Sequence, residues 1–143
     1  MNNLVFKKIW EDESLDDLME LKIKGLSEYV QIYQDCYIGE EALMEIGKMI
    51  SEYTYNYDNE CYVEFGGKEG NFTPAFSMKM LPAEFSGQVK IEVDFEINDN
   101  DTRKHRACFY IQGELGVLEC LGKALQSVAD GKIDTCSLYS EQV

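Results

Sequence analysis

Between residues 88 and 97 the chain reads QVKIEVDFEI, apolar and polar in strict alternation. Val89, Ile91, Val93, Phe95 and Ile97 turn one way, and Gln88, Lys90, Glu92, Asp94 and Glu96 turn the other. Period two with one apolar face predicts an antiparallel strand with a wet side. The Asn- and Asp-rich 98–102 then predicts a turn, and 104–111 its return strand. The same reading gives strands at 61–65 and 73–81, joined by the glycine-rich 66–71 as a hairpin turn. Alternation also predicts strands at 18–25 and 29–38, with short ones near 3–9 and 133–139.

Two segments change period. Over 40–53, Leu43, Ile46, Met49, Ile50 and Tyr53 fall on one helical face, with Glu40 and Glu41 in the first turn, where carboxylates favour the helix dipole. Over 114–129, Leu118, Leu121, Leu125 and Val128 form the stripe, and Gly131 predicts the stop. The two segments echo each other: YIGEEALMEIGKMI (37–50) against YIQGELGVLECLGKAL (110–125). Two strand–helix halves around one sheet account for the echo, and so does ordinary amphipathic patterning. Gly47 and Gly122 fall inside these helices, where they permit close packing or are tolerated at about 1 kcal/mol each. The elements predict one α+β domain: a mostly antiparallel sheet of about six to eight strands with two helices packed on one face.

Composition excludes more than it assigns. At 143 residues and 45% hydrophobic the chain has length for one domain and a core. No apolar run approaches the roughly 18 residues that span a bilayer. The start, MNNLVFKKIWEDES, lacks the pattern of a signal peptide. Five scattered cysteines, odd in number and without a C-x-x-C pair, predict buried reduced thiols in a cytoplasmic protein. A net charge of −14 repels phosphate backbones and anionic lipid, so neither nucleic acid nor membrane is expected as a partner. The same charge serves solubility, or steers a basic protein partner.

Catalytic patterns are missing. His105 stands alone in KHR with no nucleophile or second ligand nearby in sequence. The run NDNDT is followed by Arg103 and Lys104 where a calcium loop needs further ligands. There is no phosphate-binding loop, nucleophile elbow or zinc helix motif. Glu92, Asp94 and Glu96 share one strand side and read as a solvated face beside Lys90. No catalytic residue, metal or cofactor follows.

Tyrosine is the remaining signal. Seven of nine tyrosines lie in 29–62, and with Glu28 just before them eight acids meet one base, Lys48. On the strand at 29–38, Tyr29, Tyr33, Asp35 and Tyr37 take the polar side. Further on come Glu52, Tyr55, Tyr57 and Asp58, and if 53–57 is extended, Tyr53, Tyr55 and Tyr57 share a side. Tyrosine offers a large contact area with a polar tip and little rotamer entropy to lose. With carboxylates alongside, it forms a receptor for lysine and arginine. The other reading has these rings covering a sheet, which tyrosine favours. Tyr29, Tyr33, Asp35, Tyr37, Glu52, Tyr55, Tyr57 and Asp58 are therefore the candidate partner-binding residues.

The element order, with VEFGGKEGNFTPAFSMKML, FSGQVKIEVDFEIND and FYIQGELGVLECLGKALQSVADGKI, resembles the WapI-like immunity proteins of bacterial contact-dependent toxin systems over about residues 18–139. The resemblance implies a cytoplasmic, non-catalytic protein that binds and blocks one cognate toxin domain. The alternatives are a small-molecule-binding sensor and a self-associating structural domain. The expected state is a monomer or a homodimer, and a monomer would exclude the self-associating domain.

Overall fold

A computed structural model of the chain describes residues 2–11, 17–66, 76–97 and 105–140. The expected turn at 98–102, Arg103, Lys104, residues 67–71 of the glycine-rich loop and the side chain of His105 lie outside them. The elements run β1 (Asn3–Glu11), β2 (Leu18–Leu26), β3 (Gln31–Gly39), α1 (Glu40–Tyr53), β4 (Cys61–Phe65), β5 (Phe76–Met80), β6 (Gln88–Ile97), β7 (His105–Glu114), α2 (Leu115–Ala129) and β8 (Thr135–Ser137). The class is α+β, as the alternating and helical periods predict.

The strands form two antiparallel sheets of four, ordered β3-β2-β1-β8 and β4-β5-β6-β7. Each sheet turns its apolar side inward, and phenylalanines fill the space between. Phe6 of β1 stacks on Phe65 of β4 at 5.3 Å, and Phe76 of β5 lies 4.6 Å from Phe95 of β6 between ring centroids. Gly25 of β2 sits under Phe95, where a Cβ would stand 2.6 Å from the ring edge. A side chain there would push the sheets apart, so the glycine fixes their spacing.

The echo between the two segments is real architecture, on two sheets rather than one. Three strands lead into α1, and the strand after α1 edges the other sheet. Likewise β7 leads into α2, and the strand after α2 edges the first sheet. The helices bury matching positions: Leu43 with Leu118, Ile46 with Leu121, Ile50 with Leu125, Tyr53 with Val128. They cross at Gly47 and Gly122. A Cβ on Gly47 would lie 2.6 Å from the Gly122 carbonyl oxygen, and one on Gly122 would lie 2.7 Å from that of Gly47. These glycines let two helix backbones touch.

All five cysteines are free thiols. Burial pushes Cys36 and Cys136 up to about 12, so both stay protonated at neutral pH. Cys108 and Cys120 are exposed, which corrects the expectation that all five are buried. Cys108 sits on the outward side of edge strand β7, and Cys120 on the outer face of α2. Among the described residues, no helix is long and apolar enough to cross a membrane, and no three His, Cys, Asp or Glu side chains form a metal-holding group.

Candidate functional site

The eight candidate residues occupy two places. Tyr29, Tyr33, Asp35 and Tyr37 precede α1; Glu52, Tyr55, Tyr57 and Asp58 lie at its other end. Between them run the 14 residues of α1, about 21 Å at 1.5 Å per residue. All eight are exposed.

In the first set, Tyr29 is 88% exposed at the tip of the β2–β3 turn. Ser27 builds that turn: its hydroxyl accepts from the backbone N–H of Tyr29 at 3.2 Å and of Val30 at 3.1 Å. Tyr33, Asp35 and Tyr37 face outward on β3. Their neighbours across the sheet are Lys24, Lys22 and Glu20 of β2. The Lys22 ammonium lies 5.0 Å from the centre of the Tyr33 ring, and Trp10 meets the Tyr37 ring edge-on at 6.3 Å. The acidic setting read for these tyrosines along the chain is thus mixed in space, because β2 brings two lysines beside them.

The second set is not extended. α1 continues through Tyr53, and turns follow over 54–59. Tyr53 therefore points into the core, where its hydroxyl donates to the Leu81 carbonyl, while Tyr55 and Tyr57 stay exposed. Burial, foremost, lifts the Tyr53 phenol to about 12. Tyr53→Phe leaves the Leu81 carbonyl without this donor; a loss of about 1 kcal/mol in urea unfolding is expected.

Two further bonds draw neighbouring segments onto this turn. The N–H of Ala83 donates to the Tyr57 carbonyl at 2.9 Å, and the Tyr55 hydroxyl donates to Glu119 of α2 at 2.6 Å. Glu119 also pairs with Lys123 at 3.2 Å. The hydrogen bond to Glu119 raises the Tyr55 phenol, and the same bond, with Lys123, lowers the Glu119 carboxyl. The β5–β6 turn closes beside them: Gly87, at φ +89°, donates to the Glu84 carbonyl at 2.8 Å. This turn holds Phe85 wholly in solvent.

Tyr55, Tyr57 and Phe85 thus share one end of the molecule with the exposed carboxylates of Glu52, Asp58 and Glu84. Phe85 was missed in the sequence. Its signal is a large apolar residue inside the turn run PAEFSG, where no strand or helix face needs it. Beside this end, a cleft of about 290 Å³ is lined by Met49, Glu52, Asn56, Glu60 and Cys61 among others. That lies just under the roughly 300–1,000 Å³ typical of ligand sites. Burial and then Glu52 raise the Cys61 thiol, which disfavours its thiolate.

The carboxylates on β6 face outward, as a solvated face should. Arg106 pairs with Asp94, and the Tyr110 hydroxyl donates to Glu92 at 3.1 Å.

The chain is an α+β domain with two separate outward aromatic sets. No family model matches it, and no curated protein matches it in sequence.

Proposed function

We propose that the protein is a non-catalytic binding protein that captures a basic protein partner through the Tyr55–Tyr57–Phe85 end. One observation carries the reading: three exposed rings, on turns bonded to α2 and the core, stand among carboxylates. Turn backbones held this way lose little entropy on contact, and the rings accept cationic side chains on their faces. The chain's charge of −14 speeds the approach of a cation-rich surface. The resemblance to WapI-like immunity proteins makes a toxin domain the proposed partner and the cytoplasm the proposed place of action. Nuclease toxins suit this pairing, since enzymes acting on polyanions are basic.

The test has two stages. Tagged protein is used to capture partners from lysate of its own cells, at low salt and at 1 M, where the Debye length is about 3 Å. One basic protein, released by salt, is the expected result. Affinity for that purified partner is then measured for Phe85→Ala and Tyr57→Ala. A loss of about tenfold or more in each is expected if these are anchors, since hot-spot truncations cost over roughly 1–2 kcal/mol. Unchanged affinity in both, with the fold retained, removes this surface from the reading.

A further inference from the structure

The open edge of the first sheet lies outside that surface and has its own logic. The ladder between β2 and β3 runs without a register shift from Leu26·Gln31 to Leu18·Gly39. At one end Ser27 N–H donates to the Val30 carbonyl at 2.8 Å; at the other Glu40 N–H donates to that of Asp17 at 3.0 Å. Bonded and non-bonded pairs alternate in an antiparallel ladder. Both end bonds assign the even-numbered residues of β3 to β2. The odd-numbered residues, Gln31, Tyr33, Asp35 and Tyr37, turn their N–H and C=O groups to the open side. Among the described residues, no backbone hydrogen bond reaches those groups.

The other edges differ. β8 has three residues; β4 has five and touches α1 through Cys61. β7, at ten residues, is at least as long as β3 but carries the charged Arg106, and the Tyr139 hydroxyl covers its Gln112 carbonyl at 3.2 Å. Proteins protect long edges with charged side chains, above all lysine, with proline or with a bulge. β3 spans nine residues without lysine, proline or bulge, and Asp35 is its one charge.

We infer that a second copy of this chain pairs with β3 edge to edge, antiparallel about a two-fold axis at Gln34. Three observations select this occupant and register. First, the outer side of this sheet is locally balanced: Lys7, Lys22 and Lys24 stand against Glu20 and Asp35. A chain of net −14 can meet its own copy here with little repulsion, since the remaining charges are screened over roughly 8 Å at physiological salt. Second, Gln34, on the inner side of β3, holds a buried Oε1 with no hydrogen-bond partner in the single chain. The axis sets the two Gln34 side chains next to each other at the seam, so that on pairing they turn toward each other and bond amide to amide. Third, this register places Tyr33 against the second copy's Asp35, giving the row Lys22, Asp35, Tyr33, Lys24 across the seam. Centring on Asp35 instead would oppose two carboxylates, which is unfavourable.

Sedimentation equilibrium of the full chain from micromolar to millimolar concentration tests this, without any partner protein and away from Tyr55, Tyr57 and Phe85. The mass is expected to rise from one chain to two. Asp35→Pro removes an N–H that β2 does not use, so the fold stays and the seam loses a bond from each copy. Tyr33→Glu sets carboxylates against Asp35 twice. Each is expected to raise the dimer dissociation constant about tenfold or more. Far-ultraviolet circular dichroism checks folding, and if the proline variant unfolds, Tyr33→Glu decides. A wild-type monomer at millimolar concentration overturns the inference, as does a dimer equally tight in the folded variants.

Discussion

Replacing Gly122 by alanine is expected to destabilise the protein by about 2–3 kcal/mol, although alanine is the better helix former. In an open helix the exchange gains up to about 1 kcal/mol. At Gly122 the new methyl meets the Gly47 carbonyl at 2.7 Å, the Ser51 nitrogen at 2.9 Å and the Ser51 hydroxyl at 2.5 Å. Two of those atoms are backbone and cannot rotate away, so the helices must separate. Overpacking of this kind costs about 1–3 kcal/mol. Gly116, in the first turn of the same helix, has nothing within 4 Å of such a methyl. Gly116→Ala should therefore stabilise the fold. Urea unfolding of the two variants reads opposite signs on one helix; equal signs would refute the crossing as described.

Phe76→Ala is expected to cost about 4–5 kcal/mol, the larger of the two losses. Phe76 is fully buried and meets Phe6, Phe65 and Phe95 at 6.0, 5.4 and 4.6 Å between centroids. Truncating a buried phenylalanine costs about 3–5 kcal/mol, and its aromatic pairs add to the upper part of that range. A small domain has about 5–15 kcal/mol in total, so the variant should melt far lower or fail to fold. Phe76→Leu, which keeps most of the volume, is expected to lose less than half as much. Similar losses for both would mean that the space between the sheets closes readily.

The residues divide by what their neighbours in sequence can say about them. The bounds of α1, β4 and β6 follow directly from periodicity, because a stripe of apolar side chains and its spacing are local facts. The division into two sheets is not local. Alternation tells which face of β4 is buried but not that β5, and not β3, lies beside it. Tyr33 and Asp35 looked acid-rich because Lys22 and Lys24 reach them only across the β2–β3 ladder. Tyr53 left the line of Tyr55 and Tyr57 because its place on the apolar face of α1, legible in the helical period, prevailed over the alternation of 53–57. Phe85 belongs to a turn, where hydrophobic patterning has no period to break. The glycine pair was legible in each helix, but its purpose needed both helices at once.

The crossed assignment of the last strands has a consequence in time. β1 takes β8 as its second neighbour, and Asn3 fastens there: its side-chain nitrogen donates to the Tyr139 carbonyl at 2.9 Å, and its side-chain oxygen accepts from the Tyr139 N–H at 2.8 Å. During synthesis, β1, β2 and β3 leave the ribosome long before β8 exists. The first sheet must wait with one side of β1 open, and α1 must wait for the helix it crosses. Neither half can finish alone, so the chain's two halves complete each other only after both have been made.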